Sequence, residues 1–170
     1  MNLYKPTIYA KDIFHINYKK LEENKIKLII FDIDNTIAKT NEKYPTDKVV
    51  KLFKELKNNK FNLLILTNAI PHRAIRFKKY LDVDTYYLAC KPSKLNYIRI
   101  IKKYKYKNEE IAAIGDQMLT DIKGANKVGI TSILVDPISS RESLFTKLNR
   151  LKEKYLISKK KIIERGKYYE

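Results

Sequence analysis

Cysteine occurs once in the 170 residues, at Cys90, and glycine and proline together number only nine. A single thiol forms no internal disulfide, which fits a reducing cytosol. So few chain breakers, beside 44% hydrophobic residues, exclude a disordered or low-complexity chain. Long apolar runs are missing too. The stretch from Leu28 to Phe31 stops at Asp32, far short of the ~18 residues that span a bilayer. The N-terminus, broken by Lys5, Pro6 and Asp12, has no apolar signal-peptide core. Acidic side chains are scarce, 19 against 36 Lys and Arg, for a net charge of +17. That excess fits an anionic partner such as nucleic acid, an acidic membrane surface or a phosphorylated substrate. It fits equally an A/T-rich codon usage, because Lys, Asn, Ile and Tyr are all abundant. These bounds predict a single cytoplasmic domain over residues 1–170.

Short apolar runs alternate with amphipathic stretches. Strands are expected at Ile26–Ile33, Phe61–Thr67, Thr85–Leu88, Ile111–Ile114 and Thr131–Val135, three of them dense in Ile, Leu and Val as strands buried on both faces are. Thr46 can cap a helix over Asp47–Asn58, and Ser93 one over Lys94–Tyr104. A helix from Leu119 to Val128 should end at Gly129 in a left-handed conformation. This order predicts an α/β fold, a doubly wound, Rossmann-like, five-stranded parallel sheet with helices on both faces. The catalytic core spans about residues 26–137. Beyond it, Arg141 to Glu170 hold ten Lys/Arg and four Glu. A basic amphipathic helix over about 141–165 places Leu144, Leu148, Leu151 and Tyr155 on one face. That face either packs on the sheet or lies at an anionic membrane surface.

In such sheets ligands bind beyond the carboxyl ends of the strands. The first run ends in Asp32-Ile33-Asp34-Asn35-Thr36, and Asp and Asn are ordinary turn residues as well as catalytic ones, so this pair alone decides nothing. The next ends in Thr67-Asn68, where a hydroxyl and neighbouring amides can cap a helix or hold phosphoryl oxygens. The third runs into Cys90-Lys91-Pro92, which brings an ammonium to the same edge. The fourth ends in Gly115-Asp116, with Asp121 five residues on. Glycine there permits close backbone approach, and Asp116 offers a hard oxygen ligand for Mg²⁺. Asp-x-Asp, Thr, Lys and Gly-Asp at four successive strand ends are poorly explained by four independent turns and caps.

This combination resembles the haloacid dehalogenase superfamily, whose four motifs occur in this order on these elements, and the resemblance runs from about Leu28 to Pro137. More narrowly, DIDNT, LTNA, CKP, GDQMLTDIKGAN and ILVDPI look like its YqeG-type branch (subfamily IIIA), similar to mitochondrial phosphatidylglycerophosphate phosphatases. The likeness extends more weakly to the Pro-containing N-terminal segment and to FTKLNR, Phe145 to Arg150. It implies a phosphatase with Asp32 as nucleophile and Asp34 as general acid and base. It implies Mg²⁺ on Asp32, Asp116 and the backbone carbonyl of Asp34. Lys91 and Thr67 would stabilise the phosphoryl group, and Asn68 can touch phosphate. Asp121 supports the metal waters or Lys91, or simply caps its helix, and Thr36 braces the loop.

The gaps from Thr36 to Thr67 and from Thr67 to Lys91 each hold one helix and one strand, which leaves no room for a cap domain. An open catalytic edge suits a phosphate on something large. The expected partner is an anionic lipid head group at the inner face of the membrane, and the resemblance implies phosphatidylglycerophosphate as substrate. Nucleic-acid ends, small phosphate esters and a non-catalytic RNA-binding role are the alternatives. Cys90 is expected to be a small buried residue and His72 a surface one, and the oligomeric state is open.

Overall fold

The protein is described by a computed structural model over residues 2–140, 144–160 and 162–169. Strands β1 (Ile8–Ala10), β2 (Leu28–Phe31), β3 (Asn62–Leu66), β4 (Asp84–Tyr86), β5 (Ile111–Gly115) and β6 (Thr131–Val135) form one parallel sheet in the order β1-β6-β5-β2-β3-β4. Helices α1 (Tyr18–Glu23), α2 (Asp47–Asn58), α3 (Pro71–Leu81), α4 (Leu95–Tyr104), α5 (Lys123–Val128) and α6 (Leu144–Lys160) surround it.

The period-two alternation of β2 explains helices on both faces. Ile29 and Phe31 pack with Val49, Phe53 and Leu56 of α2 and Phe77 of α3. Leu28 and Ile30 point the other way, toward Tyr97 and Ile100 of α4 and Ala125 of α5. Both faces of the central strand are therefore dry, and this is why its sequence reads as a continuous apolar run.

The sheet has six strands where the sequence predicts five. The additional one, β1, is three residues long and pairs with β6 through Ile8, Tyr9 and Ala10, too short to show a period. Its outer edge is not left open. The backbone N–H of Tyr9 donates to the Tyr169 carbonyl and the N–H of Tyr169 to the Tyr9 carbonyl, both at 2.8 Å. The third expected strand, Thr85–Leu88, sits one residue early, and Leu88 lies at φ 45°, outside any strand.

Three predicted caps fare differently. Thr46 accepts a hydrogen bond from the Val49 amide and starts α2. Gly129 closes α5 in the left-handed region at φ 71°. Ser93 is not the N-cap of its helix, which begins at Leu95 after Lys94, but its hydroxyl accepts from the Leu95 amide at 3.4 Å. The expected helix from Leu119 begins instead as a π-helical turn, Met118–Ile122.

The C-terminal helix departs most from expectation. Its first predicted residues, 141–143, and the side chain of Leu144 lie outside the described residues. Leu148, Leu151 and Tyr155 are 58%, 62% and 59% exposed, so the apolar face does not pack on the sheet. Asn149 and Glu153 are buried in its place, with Leu156 and Ile157 partly so.

Candidate active site

The strand order reverses at β2, which lies between β5 and β3, and the residues leaving β2 and β5 meet at this switch point. Phe31 is in register with Ile114, and the Asp32 amide still donates to the Ile114 carbonyl at 3.0 Å. Asp32 and Asp116 are thereby fixed side by side. Asp121 joins them from the π-helical turn, and carboxylate oxygens of the three, all buried, lie within 4.8 Å of one another.

Lys91 binds this cluster together. Its Nζ donates to Asp32 Oδ1 at 2.7 Å, Asp121 Oδ1 at 2.6 Å and the Leu66 carbonyl at 2.8 Å, which occupies all three of its protons. Asp121 Oδ2 accepts from the Gln117 amide and the Thr120 hydroxyl, each at 3.2 Å. Of the alternatives for Asp121, the geometry displays two, the contact with Lys91 and, through the Gln117 amide, a cap on its own helical turn. Gly115 makes this possible, since a Cβ there would sit 2.3 Å from the Asp121 carboxyl carbon.

Burial sets the electrostatics. It pushes the Asp32 carboxyl up to about 6, against the pull of Lys91 and with the repulsion of Asp121. Burial also raises Asp116 well above the usual carboxylate range, against the Arg150 guanidinium. Alone, burial would lower Lys91, yet Asp121 and Asp32 beside it hold the ammonium well above its ordinary value. Three buried carboxylates face two buried or part-buried cations, Lys91 and Arg150. The surplus of hard anionic oxygen fits a divalent cation, which Asp32, Asp116 and Asp121 could hold between them. Thr36, buried, reaches Asp116 with its hydroxyl at 3.4 Å and so braces that carboxylate.

Asp32, Asp34, Thr67, Asn68 and Lys91 line one cavity of about 210 Å³, together with Gln117, Thr120 and Thr146. Asp34 accepts from Arg73 Nε at 2.9 Å. Its carboxyl is raised by burial and pulled back by that guanidinium. Arg73 also donates to the carbonyls of Lys39 and Glu42, so α3 pins the loop that carries Asp34. Asn68 brackets Lys91, accepting from its amide at 2.8 Å and donating to its carbonyl at 3.3 Å. Its amide group thus positions the lysine segment. Cys90 is exposed at φ 52°, contrary to the expected buried position. His72 is exposed and paired with Arg76, as a surface residue would be.

The inner face of α6 supplies groups that the sequence reading missed. Arg150 donates to the Asp116 carboxylate and, at 2.7 Å, to its carbonyl. It also donates to Glu153 at 2.9 Å. Glu153, 1% exposed, accepts from the Leu119 amide, and Asn149 donates to Gln117. Thr146, Asn149, Arg150 and Glu153 follow i, i+3, i+4, i+7 spacing, a polar stripe as regular as the apolar one opposite. That stripe was the available signal, and it falls on the FTKLNR segment. Among the described residues no cap domain is inserted between the strands, but α6 walls part of the mouth.

A family model described as haloacid dehalogenase-like hydrolase matches residues 37–129, which include Thr67, Lys91, Asp116 and Asp121 and begin just beyond Asp34. The Bacillus subtilis (strain 168) protein named "Probable phosphatase YqeG" is 34% identical over 153 residues, 90% of this chain and 89% of that one. Among solved structures, a Vibrio cholerae protein assigned as a 3-deoxy-D-manno-octulosonate 8-phosphate phosphatase superposes with a TM-score of 0.57 at 22% identity, over 73% of this chain and 74% of its own. A Legionella pneumophila protein assigned to subfamily III A of the same superfamily superposes with a TM-score of 0.55 at 18% identity, over 85% and 90%. At these identities the structures are similar in fold.

Proposed function

This chain belongs to the haloacid dehalogenase-like hydrolases, a phosphatase of that family, and on that premise we propose that it hydrolyses phosphatidylglycerophosphate with Mg²⁺. The observation that carries the phosphatase reading is Lys91, held between Asp32 and Asp121 at the wall of a cavity that Asp34 and Thr67 also line.

In the proposed reaction a carboxylate oxygen of Asp32 attacks phosphorus. As the ester bond breaks, Asp34 gives its proton to the leaving alkoxide, and an aspartyl-phosphate remains. Asp34 then takes a proton from water whose oxygen attacks the same phosphorus. Inorganic phosphate departs, and the Asp32 carboxylate is restored. The raised proton affinity of Asp34 suits a group that must carry a proton into the first step. Lys91 neutralises phosphoryl charge, and the Thr67 hydroxyl donates to a phosphoryl oxygen. Asp32, Asp116 and the Asp34 carbonyl would hold the Mg²⁺, which would supply further positive charge beside the phosphoryl oxygens. A lipid substrate is supported by the absence of a cap domain among the described residues, by the net charge of +17 and by the resemblance its motifs bear to phosphatidylglycerophosphate phosphatases.

Phosphate release should be measured with phosphatidylglycerophosphate, nucleotides, sugar phosphates and 5′-phosphorylated oligonucleotides, each with Mg²⁺ and with EDTA. The lipid is expected to turn over fastest, and only with Mg²⁺. Asp32→Asn should abolish release with an unchanged circular dichroism spectrum. Asp34→Asn should lower kcat by roughly 10²–10⁴-fold. Preference for a soluble ester would remove the lipid assignment, and undiminished turnover by Asp32→Asn would remove the mechanism.

A further inference from the structure

An amphipathic helix at a protein surface ordinarily buries its apolar side. The α6 helix does the reverse. Its Asn149 and Glu153 are buried and its Arg150 reaches Asp116, while Leu148, Leu151 and Tyr155 stand in solvent. On a helical period, Lys147 and Lys154 flank that stripe on one side and Lys152 and Lys159 on the other, all four exposed. The only acid of the helix, Glu153, faces inward, so its outer surface is apolar and cationic with no carboxylate.

The exposed apolar residues of the sheet's connections are also unevenly placed. Ile70, Leu88, Leu95 and Ile138 lie on segments that leave the carboxyl ends of β3, β4 and β6, the edge that holds the site. Among the described residues, the loops that lead into the strands at the opposite edge expose no large apolar side chain, although α3 exposes Ile75 and Tyr80. Scattered exposed leucines need no explanation, but a bias of the loop residues toward one functional edge does.

We propose that α6 is an interfacial helix that seats the catalytic edge on an anionic lipid bilayer, with Leu148, Leu151 and Tyr155 entering the acyl boundary and the four lysines meeting lipid phosphates. The occupant follows from charge. Two copies joined through this stripe would oppose their lysine rows with no acid between them. A nucleic acid would leave the leucines without an apolar partner. The inference rests on the lipid-phosphatase reading and adds the surface through which such a substrate is reached.

The full chain should be sedimented with vesicles of phosphatidylcholine alone and with vesicles that also contain phosphatidylglycerol, at low and high salt. Binding is expected only with the anionic vesicles and should weaken with salt. The Leu148→Ser/Leu151→Ser and Lys152→Glu/Lys159→Glu variants should each lower binding at least about tenfold. Their melting temperature and Mg²⁺-dependent hydrolysis of p-nitrophenyl phosphate should stay at the parent level. Failure of the parent to bind, or equal binding by the variants, overturns the proposal. So does a dimer, seen by light scattering, that the serine variant dissolves. Hydrolysis of detergent-dispersed phosphatidylglycerophosphate without vesicle binding would remove the docking helix and spare the proposed function. Vesicle binding without hydrolysis of that lipid would do the opposite.

Discussion

Lys91 serves the fold and the proposed chemistry with the same three hydrogen bonds. Replaced by methionine, it would leave Asp32 and Asp121 uncompensated in a dry site, and loss of one partner from a buried ion pair costs about 3–5 kcal/mol. Urea titration of Lys91→Met in EDTA should show a loss of that size together with abolished phosphate release. Arg150 is the corresponding partner of Asp116 and Glu153. Arg150→Met should lower the melting temperature in EDTA, and Mg²⁺ should restore more stability to the variant than it adds to the parent, because the bound ion supplies the lost positive charge. Equal Mg²⁺ shifts in the two proteins would contradict that account. Gly115 matters for space. In Gly115→Ala the new methyl meets the Asp121 carboxyl, and a loss of about 1–3 kcal/mol with reduced kcat is expected from denaturation and turnover assays. Asp32, Asp34, Thr67, Lys91 and Asp116 were all legible in the sequence, since each follows a strand at the edge where ligands bind. Arg150 and Arg73 were not. They reach the site from helices, and although the polar stripe of α6 is visible in the sequence, nothing in it tells which residues face a neighbour.

Among the elements, α2 and β4 show how much local sequence decides. Thr46 caps α2 through a 3.4 Å bond, a long one, so Thr46→Ala should cost about 0.5–1 kcal/mol in thermal denaturation. The edge strand β4 is tied to α4 by Asp84, which accepts from Lys103 at 2.6 Å and Tyr104 at 2.7 Å. These bonds hold the Asp84 carboxyl below its usual value of 3.8. A depressed carboxyl stabilises the fold in full above its unfolded value and loses that contribution as pH falls through the folded one. The acid limb of a stability profile should therefore flatten in Asp84→Asn, by at most about 1 kcal/mol for so exposed a pair. The strand β1 and the orientation of α6 escaped the sequence reading for related reasons. Three residues cannot display a period, and a helix with two regular stripes, one polar and one apolar, does not say which of them is buried.

At the scale of the molecule, 36 basic side chains against 19 acidic ones repel one another in the folded state. Raising NaCl from about 10 to about 150 mM shortens the screening length from ~30 to ~8 Å and should raise the melting temperature, measured by calorimetry, while it weakens vesicle binding. No helix among the described residues is long and apolar enough to cross a membrane. The alternation of strands and helices, the parallel sheet and the residues at four strand ends were determined by sequence alone, because periodicity and strand-end position are properties of short segments. The sixth strand, the hold of Asp121 on Lys91, the reach of Arg150 to Asp116 and the outward turn of the α6 leucines were decided by tertiary structure. Each joins residues from separate segments of the chain. Only the packed molecule shows the polar stripe of α6 turned inward, with Arg150 on the buried Asp116, and its apolar stripe left outside.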